Sequence, residues 1–377
     1  MRNADRFQTG LSALLLAAVL LGLPLLGVAL SGGEIAPYLE FPPATRHVEQ
    51  PGFSAPVFAG ILFAIVVMVG PFLFRAARMA LRSDIARPPS SRAGVFPWWG
   101  WLGVAGGVSA WTLAWTRFAW MEPLQLYTFP AIWLGYIVVL NALTCRRSGH
   151  CMLRDRPRTL LLLFPVSAAF WWFFEYLNRF VQNWYYVVPT ELGAVEYTLT
   201  ASLSFSTVLP AVLGTAEWLK TFRRPRAWFA NWVRVRVRRP ALFCIVVLII
   251  SGLSLSAIGV WPTVLYPFLW LAPLLLITSW QAWRGNRHIL SAVAQGDWSD
   301  VVAAALAGLV CGFFWEMWNY YSWAKWIYAV PYVQRPELML FEMPVLGYAG
   351  YLPFGLVCLA VGSLVERTIR AKAKSAF

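Results

Sequence analysis

Apolar runs of about twenty residues recur from one end of the chain to the other, separated by short polar segments. A run of that length matches the roughly 30 Å hydrocarbon core of a bilayer when it is coiled as a helix. The pattern predicts spans at 10–30, 54–74, 96–116, 124–144, 159–180, 197–218, 241–261, 263–283, 301–322 and 343–365. The expected fold class is therefore an all-α polytopic membrane protein of about ten transmembrane helices.

Composition changes that picture little. A soluble chain of 377 residues would suggest two or three domains, but 59% hydrophobic and 13% charged residues override that expectation. Charge adds orientation. If both termini are cytoplasmic, the inner segments 1–9, 75–95, 145–158, 219–240, 284–300 and 366–377 hold 26 of the 31 Lys and Arg residues. The others are Arg46, Arg117, Arg179, Lys325 and Arg335. This asymmetry is the positive-inside rule, so the net charge of +14 reports topology in a bacterial inner membrane and not binding to nucleic acid. Arg2 and Arg6 before the first run, with "VALSGG" after it, also fit a signal peptide. The run is long for one, which favours a retained helix; cleavage would leave nine spans.

Residues 170–189, "FWWFFEYLNRFVQNWYYVVP", have a counterpart at 312–331, "GFFWEMWNYYSWAKWIYAVP". Glu175 aligns with Glu316, Asn178 with Asn319, Trp184 with Trp326, Tyr186 with Tyr328 and Pro189 with Pro331. The register continues from "LYTFPAIWL" against "LYPFLWLAP" to Glu196 and Glu342, each before a Leu-Pro. These matches predict a tandem repeat of four helices each, 96–218 and 241–365, after two additional helices in 1–95. An even number of crossings gives the copies one orientation, with a pseudo-twofold axis along the membrane normal. The segment 219–240 reads as a basic inner linker that could also hold anionic lipid, and 366–377 as a basic tail.

Glu175 and Glu316 should lie on the order of 22–24 Å from the inner ends of their helices, in the outer third of the membrane. Charge at that depth is costly, so each Glu and the Asn on its face should turn toward protein or water. Arg179, four residues after Glu175, is spaced to pair with it; Tyr320 stands at that place beside Glu316. Trp172, Trp315 and Trp318 adjoin the two acids. Two readings stay open: Glu/Asn cross-links between helix ends, or an outer-leaflet cavity.

Several chemistries are excluded by what is missing. Three His residues cannot form the cluster of a membrane di-iron enzyme, and the chain has no HExxH, GxSxG or P-loop sequence. All five Asp residues (Asp5, Asp84, Asp155, Asp297, Asp300) lie outside the predicted spans. No metal or cofactor is expected. The five Cys residues read as reduced thiols, given their odd number and inner placement.

Together, "TFPAIWLGYIVVLNAL", "FWWFFEYLNRFVQNW", "SFSTVLP", "CGFFWEMWNYYSWAKWIYAVP" and "FEMPVLGYAGYLPF" resemble an uncharacterised family of bacterial polytopic membrane proteins. A weaker likeness is to small membrane-embedded lycopene cyclases, whose W-x-Y element before a Pro–Glu-rich span is similar to "WIYAVP…LFEMP". The acidic pair of those cyclases is here reduced to Glu342, or Glu196 in the first copy. The intramembrane acids among Trp and Tyr also permit one enzyme reading, acid chemistry on a lipid-soluble, isoprenoid-like substrate. In that reading Glu316 is the acid and Glu175, with Arg179, its electrostatic partner. Asn178 and Asn319 orient the substrate, and Trp172, Trp315, Trp318, Tyr320, Glu342 and Glu196 line the site. The same residues also fit a proton- or cation-coupled transporter of a small solute or lipid, and a structural role remains open. Membrane lipids are the expected surroundings in every case.

Overall fold

A computed structural model describes residues 2–43, 47–82, 94–189 and 191–373, with side chains over 14–369 of those segments. Arg46, Asp84 and the basic stretch 83–93 lie outside the described residues, as do the side chains of Arg2, Asp5 and Arg6.

The molecule is predominantly helical, with almost no sheet among the described residues. In chain order the main helices are α1 (Arg2–Leu30), α2 (Ala55–Leu81), α3 (Trp98–Thr116), α4 (Thr128–Ser148), α5 (Pro157–Val181), α6 (Ala194–Phe205), α7 (Val208–Lys220), α8 (Arg223–Phe229), α9 (Pro240–Ala257), α10 (Phe268–Trp283), α11 (Ser299–Tyr320) and α12 (Tyr351–Ala373). Seven helical segments among the described residues are long and apolar enough to cross a membrane, and Leu14–Leu30 and Phe268–Trp283 are shorter apolar helices. The predicted span 96–116 corresponds to α3, 19 residues that include five Trp and four Gly.

The predicted span 197–218 is broken between α6 and α7. Ser167 bridges the break: its hydroxyl donates to the Phe205 carbonyl (2.6 Å) and accepts from the Leu209 N–H (2.9 Å). Backbone groups freed at depth are thus paired with protein, as an apolar surrounding requires.

The same neighbour relations recur in the two halves. α3 packs on α4 and α9 on α10; α4 meets α7 as α10 meets α12; α5 meets α7 as α11 meets α12. α7 and α12 also touch α11 and α5 of the opposite half, and one another. α1 leans on α9, whereas α2 touches only α8 and the 3-10 turn Val345–Gly350 appreciably and has no buried residue.

Two short strands, β1 (Trp184–Val187) and β2 (Lys325–Tyr328), follow α5 and α11 and pair antiparallel. The sequence reading did not anticipate this ribbon. At the opposite end of the bundle, Arg156 bonds both Glu217 and Glu366, tying α5 to α7 and α12.

Candidate functional site

The ribbon exists because each helix ends in an Asn that clasps the strand after it. Asn178 Nδ2 donates to the Trp184 carbonyl (2.7 Å), while its Oδ1 accepts from the N–H groups of Asn183 (2.8 Å) and Trp184 (3.3 Å). Asn319 repeats this on Trp326, donating to its carbonyl (2.8 Å) and accepting from its N–H (2.9 Å). A side-chain amide carries one donor edge and one acceptor edge, so it can satisfy both backbone groups of one residue. The two Asn residues are therefore structural clasps and do not face the cavity described below.

The clasps fix the strands in a definite register. Trp184 opposes Tyr328, Tyr185 opposes Ile327 and Tyr186 opposes Trp326. Alternation along a strand then sends Trp184, Tyr186, Trp326 and Tyr328 to one face. All four line a large cavity, whereas Tyr185 and Ile327 line a smaller hollow on the other face, reached by His47, Glu49 and Gln50.

Behind the inward-facing aromatic residues lie the two glutamates, both fully buried. Glu175 Oε1 accepts from Tyr186 O–H (2.6 Å), Trp171 Nε1 (2.9 Å) and Trp184 Nε1 (3.1 Å). Glu316 Oε1 accepts from Tyr328 O–H (2.8 Å) and Tyr351 O–H, and Trp326 Nε1 donates to the Tyr328 oxygen (3.0 Å). Both Oε2 atoms are buried without a partner. Each acid thus touches the cavity only through Tyr and Trp groups that hydrogen-bond to it.

Of the other expected site residues, Trp315 lines the cavity. Trp318 is buried among Trp133, Trp111 and Phe314. Trp172 donates to Ser202 and packs on Phe205. Tyr320 is partly exposed beneath the Lys325 ammonium, and that same Lys is ion-paired with Glu342. Glu196 is exposed in the first turn of α6. The expected Glu175–Arg179 pair is not formed. Arg179 turns to the Tyr38 carbonyl (2.5 Å) in the segment after α1. Spacing of four residues permits a pair; here three uncharged donors meet Oε1 and Arg179 is held at Tyr38 instead.

Tyr351 was missed because it lies 35 residues beyond Glu316, on α12. The signal for it is a glycine. A Cβ on Gly312 would fall 2.3 Å from the Tyr351 ring, so only Gly admits that ring beside α11.

The cavity measures about 990 Å³, the upper end of the range for small-molecule sites. Ile61, Ile65, Met68, Phe72 and Ala76 of α2 form one wall, as residues three to four apart do on a helix face. Phe229 and Trp298 lie at the end remote from the ribbon. Among the described residues no charged side chain lines it. Met68, Leu73 and Leu306 line it yet are 63%, 65% and 41% exposed, so it opens sideways beside α2. No group of three or more His, Cys, Asp or Glu is placed to share a metal among the described residues. Neither a family model, a curated protein nor a solved structure matches the chain.

Proposed function

We propose that this is a ten-helix protein of the bacterial inner membrane, both termini cytoplasmic, built from a tandem parallel repeat. Its function in this reading is to take a long, lipid-soluble molecule from the bilayer into the cavity between α2 and the bundle. The observation that carries the reading is the lining: apolar and charge-free along its length, open sideways beside α2, with the Glu-backed tyrosines gathered at the ribbon. In this reading, supported by the positive-inside bias, the ribbon lies in the outer leaflet.

α2 is suited to flank such an opening. Arg75 holds its inner end by donating to the carbonyls of Trp228 (3.0 Å) and Asn231 (3.1 Å). Ser54 N–H holds the other end on the Tyr332 carbonyl (2.9 Å). Between these points α2 contributes the apolar wall and little packing, so a chain can slip past it at small cost.

Acid chemistry on an isoprenoid-like chain fits this arrangement, with Glu316 and Glu175 acting through the tyrosines. When Glu316 carries a proton, the Tyr351 hydroxyl is freed from donating to it, and a proton from Tyr351, replaced from Glu316, would add to a double bond. The cation so formed would face Trp171, Trp184 and Trp315, and loss of a neighbouring proton through Tyr351 to the Glu316 carboxylate would restore both a double bond and the acid. A coupled transporter of a charged solute is disfavoured, because no charged group lines the cavity among the described residues.

The test is native mass spectrometry of the protein purified in nanodiscs, joined to lipid extracts of cells with and without the gene. A retained long-chain molecule is expected, whose amount or unsaturation pattern changes in the deletion strain. A protein that retains none, with unchanged extracts, would sink the proposal.

A further inference from the structure

The polar end of the cavity has a definite hydrogen-bonding character. Tyr328 and Tyr351 both give their hydroxyl protons to Glu316. Trp171 and Trp184 give their indole protons to Glu175, and Trp326 gives its own to Tyr328. These five side chains line the cavity, and their donors are already committed to acceptors within the protein. This end offers an acceptor in the Tyr351 oxygen, since a hydroxyl has two lone pairs beside its proton. It also offers donors in the Trp270 and Trp315 indoles, which line the cavity beside Trp184 and Tyr351 and meet no acceptor among the described residues.

No Lys or Arg lines the cavity among the described residues. A phosphate or carboxylate head would therefore be buried without a counter-charge, which is strongly unfavourable. An ester or ether head could accept from those indoles but has no proton for the Tyr351 oxygen. A hydroxyl can donate to that oxygen, accept from an indole, and carries no charge.

We infer that the occupant is a long-chain alcohol, its uncharged hydroxyl donating to the tyrosines held by Glu316. This rests on the reading that a lipid-soluble chain occupies the cavity, and it adds the chemistry of its head.

The test uses geranylgeraniol, its methyl ether and its monophosphate as probes. The full-length protein in phosphatidylcholine nanodiscs is titrated with each, and quenching of the cavity tryptophans is followed. The alcohol is expected to bind roughly three- to tenfold more tightly than the ether, the range of one net hydrogen bond. The phosphate should bind at least about tenfold more weakly than the alcohol, as expected for a buried unpaired charge. Tyr351→Phe should bring alcohol and ether to equal affinity while leaving ether binding unchanged. Ether binding as tight as alcohol in the wild type, phosphate binding as tight, or a preference that survives in a folded Tyr351→Phe protein would each overturn the inference. If that variant does not fold, the wild-type comparison of the three probes decides alone. Failure of all three probes to bind overturns the occupancy itself, whereas chain binding without a preference for alcohol overturns only the identity of the head.

Discussion

Gly312 stands four residues before Glu316, the place Trp171 takes before Glu175, and the two solve one problem oppositely. Trp171 supplies its glutamate with an indole N–H from the same helix (2.9 Å). Gly312 supplies nothing and leaves room for Tyr351 to arrive from α12. Gly312→Ala is therefore expected to push Tyr351 off Glu316. The combined cost of overpacking and a lost buried hydrogen bond is about 2–4 kcal/mol. Melting of the purified variant would show it, and Gly312→Ala with Tyr351→Leu should recover much of the loss. Equal melting of Gly312→Ala and wild type would contradict this role.

The Asn clasps give a test of the proposed tandem repeat. Asn178→Ala leaves the N–H and carbonyl of buried Trp184 and the N–H of Asn183 unsatisfied, and Asn319→Ala the N–H and carbonyl of half-buried Trp326, at about 1–3 kcal/mol for each buried group. Comparable losses from both are expected, with more hydrogen exchange across the ribbon in each. A large loss from one and none from the other would argue against equivalent halves.

Much of this architecture was legible in the sequence. Apolar runs locate the helices because bilayer thickness fixes their length, and Glu175, Asn178, Glu316 and Asn319 stand out as polar groups inside them. The ribbon was not legible, because "WYYV" and "KWIY" carry only four residues each and read as interfacial aromatics. Their matched positions were visible, but not that they pair. α2 as a cavity wall was hidden for a different reason: it is apolar on every face, so no contrast marks the side turned to the bundle.

Orientation can be read by thiol labelling. Glu40 and Arg335 are exposed near the ribbon, and Ala230 is exposed at the opposite end. Glu40→Cys and Arg335→Cys should react with an impermeant reagent on whole cells, and Ala230→Cys only after permeabilisation. The reverse pattern would invert the protein in the membrane.

His288, in the loop between α10 and α11, is half-buried, and its Nδ1 has no partner. Burial, then the nearby Arg367 charge, holds its pKa below the ordinary 6.5. The folded protein thus binds fewer protons than the unfolded chain between 6.5 and the lowered value. Stability is full above pH 6.5, falls as pH drops through that window, and levels off below it. Hydrogen exchange in the 284–298 loop should quicken over that interval, and His288→Gln should flatten the response. A profile unchanged by the substitution would assign the acid sensitivity elsewhere.

The glutamates separate function from packing most directly. Gln at position 316 can keep an oxygen where Oε1 accepts from Tyr328 and Tyr351, but it places an NH₂ group where Oε2 now has no partner. Burying that unpaired donor costs about 1–3 kcal/mol, so Glu316→Gln should lower the melting temperature without abolishing the fold. If Glu316 supplies protons through Tyr351, the variant should still retain the long-chain molecule but leave it unconverted, and Glu175→Gln should have a weaker effect on conversion. If both acids only hold the ribbon, Gln variants should match wild type in lipid extracts, while Leu at either position lowers abundance by leaving the Tyr donors unsatisfied. Unchanged lipid extracts from a folded Glu316→Gln strain would remove Glu316 from the chemistry and leave it as an anchor.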